Sequence, residues 1–170
     1  MATLISHSPA ETQALGEAFG HDAQPGLVIG LSGDLGAGKT QFVKGLERGL
    51  GISSRVHSPT FALVNLYTGG RLTLNHLDLY RLDTIEQILA AGLEEYLQPE
   101  GVTVIEWAER WFGAASSVER GASERRSVEG CQGTFHAPRI TNQVPRSVRW
   151  VQIETIGEFE RRIIYDDPRA

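Results

Sequence analysis

The chain has 170 residues, 41% hydrophobic and 22% charged, the proportions of a globular domain rather than of a disordered or membrane-embedded chain. Sixteen Lys plus Arg against 21 Asp plus Glu leave a net charge of −5, which argues against a surface that grips nucleic acid directly, since phosphate binding runs on clustered cations. The single cysteine, Cys131, excludes an internal disulfide and a thiolate metal cluster.

No Lys or Arg precedes Lys39 and no apolar run nears the ~20 residues a bilayer requires, so a cytoplasmic single domain spanning 1–170 is expected. In chain order, Ser8-Pro9-Ala10-Glu11 predicts a helix start. Ser8 serves as cap, Pro9 as first helical residue and Glu11 as the other half of a capping box, with Leu15, Ala18 and Phe19 as the apolar stripe. Gly26 opens the run Leu27-Val28-Ile29-Gly30-Leu31, which reads as a buried central strand. A Gly-rich turn and a helix from Lys39 to about Leu50 follow.

Phe61 to Tyr67 and Leu72 to Tyr80 read as two strands joined by a Thr68-Gly69-Gly70-Arg71 hairpin turn. Thr84 to Tyr96 fits a helix with Ile85, Ile88, Leu89 and Leu93 on one face, and Val102-Thr103-Val104-Ile105 is another buried strand, ending at Glu106-Trp107. From Ala114 to Ser147 the periodicity is lost. Five Arg and three Glu give this stretch a charge of +2, and a mobile insertion is expected over 114–147, with a basic contact arm as the second reading. Val148 to Ile153 and Phe159 to Tyr165 look like a closing hairpin. The interleaving predicts an α/β fold with an antiparallel portion, expected as a three-layer sandwich with a mixed central sheet and a C-terminal β-hairpin.

Gly33-Asp34-Leu35-Gly36-Ala37-Gly38-Lys39-Thr40 matches G-x-x-x-x-G-K-[ST], the phosphate-binding loop. The glycines let successive N–H groups turn into one anion nest, Lys39 brings a point charge to the β- and γ-phosphates, and the Thr40 hydroxyl can coordinate Mg²⁺. The match follows a strand and opens a helix, which is the context that phosphate binding needs, and makes the expected sandwich P-loop NTPase-like. Asp78 at one strand end and Glu106 at another are candidates for metal and water chemistry, Glu106 standing where a Walker-B acid stands. His57-Ser58-Pro59-Thr60-Phe61 offers hydroxyls that can sense a γ-phosphate, or is an ordinary turn.

Taken in order, G-D-L-G-A-G-K-T, S-P-T-F, H-L-D-L-Y-R-L and V-I-E-W closely resemble the TsaE (YjeE) family, over about Thr12 to Trp111. These are ATPases required for N6-threonylcarbamoyladenosine (t6A) at position 37 of tRNA. The resemblance implies Thr12 near the adenine and Gly33 with Gly36, Ala37, Gly38, Lys39 and Thr40 around the phosphates. Thr40, Glu106 and Asp78 would serve the metal, with Lys39, Asp78, Glu106 and Thr60 as the catalytic group and Thr60 in a switch segment. Trp107 would sit beside the site. A C-terminal arginine, Arg161 or Arg162, would approach the nucleotide, and Arg162 is counted with the cofactor-binding residues. ATP and Mg²⁺ are the implied cofactors and TsaB and TsaD the implied partners, with tRNA met through them.

Two other readings remain in view. A small-molecule P-loop kinase can be this short, although no acceptor-pocket motif is evident. A GTPase-type switch is suggested by Asn75-His76-Leu77-Asp78, which imitates N-K-x-D with His in place of Lys, but no D-x-x-G occurs.

Overall fold

A computed structural model describes residues 1–53, 58–113 and 148–166. His57 and the expected insertion at 114–147 lie outside the described residues. Seven strands form one sheet in the order β1-β7-β6-β2-β5-β4-β3. They are β1 (Ala2–Ser6), β2 (Leu27–Ser32), β3 (Val64–Tyr67), β4 (Leu74–Asp78), β5 (Val102–Glu106), β6 (Val148–Thr155) and β7 (Arg161–Tyr165). β2 runs parallel to β5 and β6, and β4 parallel to β5. β3, β7 and β1 are added antiparallel, so the sheet is mixed, as expected.

Helices α1 (Pro9–Asp22) and α2 (Lys39–Gly49) cover one face. Side-chain alternation sends Ile29, Leu31, Val104, Val151, Ile153 and Ile163 into the core beneath them. α3 (Ile85–Ala90) and α4 (Glu109–Phe112) cover the other face, where Val28, Leu77 and Ile105 point. Among the described residues no helix is long and apolar enough to cross a membrane.

The α1 start forms as the sequence predicts: Ser8 Oγ accepts from the Glu11 N–H at 3.2 Å. The Glu11 carboxylate accepts from the His7 N–H at 2.8 Å, one residue earlier than a capping box closes. Two expectations need correction. The strand expected from Phe61 begins only at Val64, because the Leu63 N–H turns back to the Pro59 carbonyl at 2.7 Å and Leu63 adopts φ 65°. The helix expected over Thr84 to Tyr96 stops at Ala90, and a 3₁₀ turn, Leu93–Leu97, continues after Gly92 at φ 70°. β1 is absent from the sequence reading. It is an edge strand whose partner, β7, lies at the far end of the chain.

α1 and α2 cross with backbone against backbone. A Cβ on Gly45 would lie 1.9 Å from the Gln13 carbonyl oxygen, and Gly16, Gly20 and Gly49 sit in the same seam. The crossing fixes α2, whose first residues are Lys39 and Thr40. Packing of the two helices therefore sets where the Gly33–Thr40 loop stands.

Candidate functional site

The parallel strands β2, β5 and β4 end side by side, and in α/β sheets ligands bind beyond such carboxyl ends. β2 delivers the loop from Gly33 to Thr40, β5 delivers Glu106 and β4 delivers Asp78, which stands in register with Glu106. Gly36 and Gly38 take φ 79° and 110°, the left-handed conformations that curl the loop into a nest. Gly33, at φ 136°, packs so tightly that a Cβ would meet the Ile153 carbonyl oxygen at 2.2 Å. These elements surround a cavity of about 400 Å³.

Lys39 is 4% exposed, with its ammonium donating to the Gly33 and Asp34 carbonyls at 2.6 and 2.9 Å. The same Nζ lies 3.7 Å from the centre of the Trp107 ring. Burial lowers the Lys39 pKa from its ordinary value, and Glu106, Glu109, Asp78 and Asp34 oppose that shift. Glu109 is half-buried, and burial pushes its carboxyl up; its Oε2 has no hydrogen-bond partner among the described residues. Trp107 holds φ 62°, a strained conformation for a bulky residue of the kind that clusters at functional sites. Its ring packs 5.2 Å from that of Tyr80.

The two carboxylates are engaged differently. Glu106 Oε1 accepts from the Thr40 hydroxyl at 2.9 Å and lies 2.9 Å from His76 Nε2. Asp78 Oδ2 accepts from the hydroxyls of Ser58 at 2.7 Å and Thr60 at 2.6 Å, while Oδ1 accepts from the Tyr80 N–H at 3.0 Å. Asp78 thus ties the 58–60 segment to the end of β4, and Glu106 ties β5 to the first turn of α2.

Thr12, Gly36, Ala37, Gly38, Lys39, Thr40, Thr60, Asp78, Glu106 and Trp107 all line the cavity. Thr12 stands on the α1 wall with Ser8 and Pro9, its hydroxyl 2.9 Å from that of Ser6. Gly33 is set back from the lining and contributes its carbonyl to Lys39.

Arg162 is a correction. It pairs with Glu154 at 3.2 Å and does not line the cavity, whereas Arg161 does, with Nε donating to the Ala37 carbonyl at 3.0 Å. The reason is strand alternation. Ile163 points into the core under α1 and α2, so Arg161, two residues before it, shares the face of the Gly33–Thr40 loop. The sequence reading gives no part to Tyr80, Glu158 or Phe159, which also line the cavity, or to His76. Asn75 of the N-K-x-D look-alike is buried, donating to Thr103 Oγ1 at 3.1 Å, on the strand face opposite Asp78. Among the described residues no three His, Cys, Asp or Glu side chains gather as a metal cage.

Known proteins bear on this arrangement. The chain is 46% identical over 101 residues to the tRNA threonylcarbamoyladenosine biosynthesis protein TsaE of Bacillus subtilis, covering 59% of this chain and 63% of that protein. It is 47% identical over 106 residues to the TsaE of Treponema pallidum, covering 62% and 78%, and 48% identical over 114 residues to that of a Nostoc species, covering 65% and 70%. The match to the Bacillus protein thus spans less than two thirds of that protein's length. Among solved structures, the crystal structure of Bacillus subtilis YdiB superposes with a TM-score of 0.67 at 31% identity, covering 96% of this chain and 83% of that one. The family model for Threonylcarbamoyl adenosine biosynthesis protein TsaE matches residues 6–128, well over half of the sequence, and the chain belongs to the TsaE family.

Proposed function

We propose that this chain is a cytoplasmic, Mg²⁺-dependent ATP hydrolase that supports t6A modification of tRNA together with TsaB and TsaD. The observation that carries the reading is the Thr40 hydroxyl bonded to Glu106 at the mouth of a Gly-rich nest, with Asp78 in register beside it. The donor set fits the cofactors. A hydroxyl and one or two carboxylates suit Mg²⁺, which keeps several waters and takes the rest of its shell from phosphate oxygens. The nest, the Lys39 ammonium and the start of α2 suit a polyphosphate. ATP with Mg²⁺ would supply the scissile γ-phosphate bond and the charge neutralisation.

The chain's own residues do the rest. Thr40 and Glu106 would hold the metal, and the Lys39 ammonium, which donates to the Gly33 and Asp34 carbonyls, would turn to the phosphates. Asp78 holds Thr60 at the cavity wall through Oδ2 and would orient water there. Arg161, anchored on the Ala37 carbonyl, adds positive charge at the nest's outer wall. A GTPase reading is weakened by Asn75, which is consumed by Thr103 away from the cavity. The net charge of −5 leaves little to grip tRNA unaided, which favours contact through the partner proteins.

The test is calorimetry on Lys39→Ala. Charge-assisted contacts are worth roughly 1.5–3 kcal/mol, so ATP affinity should fall at least about tenfold while the chain stays folded. Unchanged affinity would exclude this loop as the nucleotide site. Fluorescence gives an independent check. Mg²⁺-ATP should change the emission of the wild type, and Trp107→Phe should lose most of that change. Trp111 and Trp150 pack with Phe112 on the other face of the sheet, and should carry little of it.

A further inference from the structure

The fully buried His76 is given no role by the sequence, yet its Nε2 lies 2.9 Å from the carboxylate proposed to hold the metal. We propose that His76 is the positioning residue for Glu106, fixing the rotation of its carboxylate for the cation; the inference rests on the Mg²⁺ reading above.

Glu106 Oε1 takes two short contacts, from Thr40 and from His76, while Oε2 has a longer one, 3.3 Å from Thr40. That asymmetry leaves Oε2 as the oxygen with capacity for a cation or its water. Thr40 sits on α2 and belongs to the nucleotide site itself, so its hydroxyl also has the metal to serve. His76 sits on β4, inside the sheet, with no exposed surface, and its hold on Oε1 does not depend on the ligand.

The tautomer follows from the neighbours. A carboxylate only accepts, so Nε2 carries the hydrogen. Nδ1 is buried without a hydrogen-bond partner among the described residues. Orienting groups behind metal ligands are typically worth 10–100-fold in metal affinity. A histidine that served only to fill space beside Tyr67, whose ring centre is 6.5 Å away, would have no such effect.

The experiment compares wild type with His76→Leu, His76→Asn and His76→Gln. Binding of a non-hydrolysable ATP analogue is measured by calorimetry in excess chelator and across a Mg²⁺ titration, with thermal unfolding followed in parallel. Gln can place an N–H where the histidine Nε2 stands; Asn is too short and Leu has no donor. The Mg²⁺ midpoint should rise about tenfold or more in Leu and Asn and less than about threefold in Gln, with affinity in chelator close to wild type throughout. If Leu does not fold, Asn against Gln decides.

Midpoints equal to wild type in all variants overturn the inference, and so do equal shifts in Asn and Gln or a loss of affinity in chelator as large as that in Mg²⁺. A wild type whose binding gains nothing from Mg²⁺ overturns the metal reading instead, and the inference with it.

Discussion

Gly45→Ala should cost the protein about 3 kcal/mol or more, although helix propensity alone predicts the opposite sign. In an exposed helix interior, Ala is favoured over Gly by roughly 0.8–1 kcal/mol. Gly45, however, lies in the middle of α2 where a Cβ would stand 1.9 Å from the Gln13 carbonyl oxygen and 2.7 Å from its carbon. Both are backbone atoms of α1, so no rotamer change can relieve the contact and the two helices must separate. Overpacking that moves backbone costs roughly 1–3 kcal/mol and sometimes more. Lost burial of Phe42 and Leu46 adds to it, since both are fully buried in the same interface.

For a chain of this size, each kcal/mol lowers the melting temperature by roughly 2–4 °C, so a drop of about 10 °C is expected. The control is Gly51→Ala. Gly51 has φ 73° but nothing within 4 Å of a new Cβ, so only the left-handed strain of about 1–2 kcal/mol should appear. A Gly45→Ala protein as stable as wild type, or more so, would refute the close crossing. Since α2 begins with Lys39 and Thr40, the same variant should also bind nucleotide more weakly than Gly51→Ala does.

How much of this was legible in the sequence depended on distance along the chain. The strand, loop and helix from Leu27 to Gly49 are specified by neighbouring residues, and the α1 cap by Ser8 and Glu11. Features set by remote pairing were not legible. β1 owes its existence to β7, and its sequence carries too little apolar surface to announce a strand alone. Gly92 broke the expected long helix, because periodicity does not register a residue at φ 70°; of the expected apolar face, Ile88 and Leu93 are buried while Ile85 is exposed.

Strand alternation carried a signal for two residues that the sequence reading left open or without a role. Alternation from Ile163 places Arg161, not Arg162, on the side of the Gly33–Thr40 loop. The same rule places His76 on the face of Asp78, one step deeper into the sheet. The glycine seam between α1 and α2 was also written in the sequence as two glycine pairs at four-residue spacing. Only the folded chain shows which face of each helix the pairs occupy.

The different engagement of the two carboxylates predicts a split between binding and turnover. Glu106 is bonded to Thr40, so under the proposed function Glu106→Ala removes one proposed metal ligand and the hydrogen-bond partner of the other. It should lose most of the Mg²⁺-dependent gain in nucleotide affinity and hydrolyse ATP about a hundredfold or more slowly. Asp78 is bonded to Ser58, Thr60 and the Tyr80 N–H, and not to Thr40. Asp78→Ala should retain more of the Mg²⁺-dependent affinity yet hydrolyse as poorly as Glu106→Ala, because water and the 58–60 segment lose their anchor.

A chain that serves partners should hydrolyse ATP slowly alone and faster with TsaB and TsaD, since idle turnover would be uncoupled from tRNA modification. In a reconstitution with tRNA, threonine, bicarbonate and ATP, neither variant should support repeated threonylcarbamoyl transfer. Equal loss of Mg²⁺-dependent binding in both would mean that Asp78 serves the metal as directly as Glu106 does. Sustained multiple turnovers by both variants would show that hydrolysis in this cavity does not drive the cycle, and the proposed function would then have to be assigned to nucleotide binding alone.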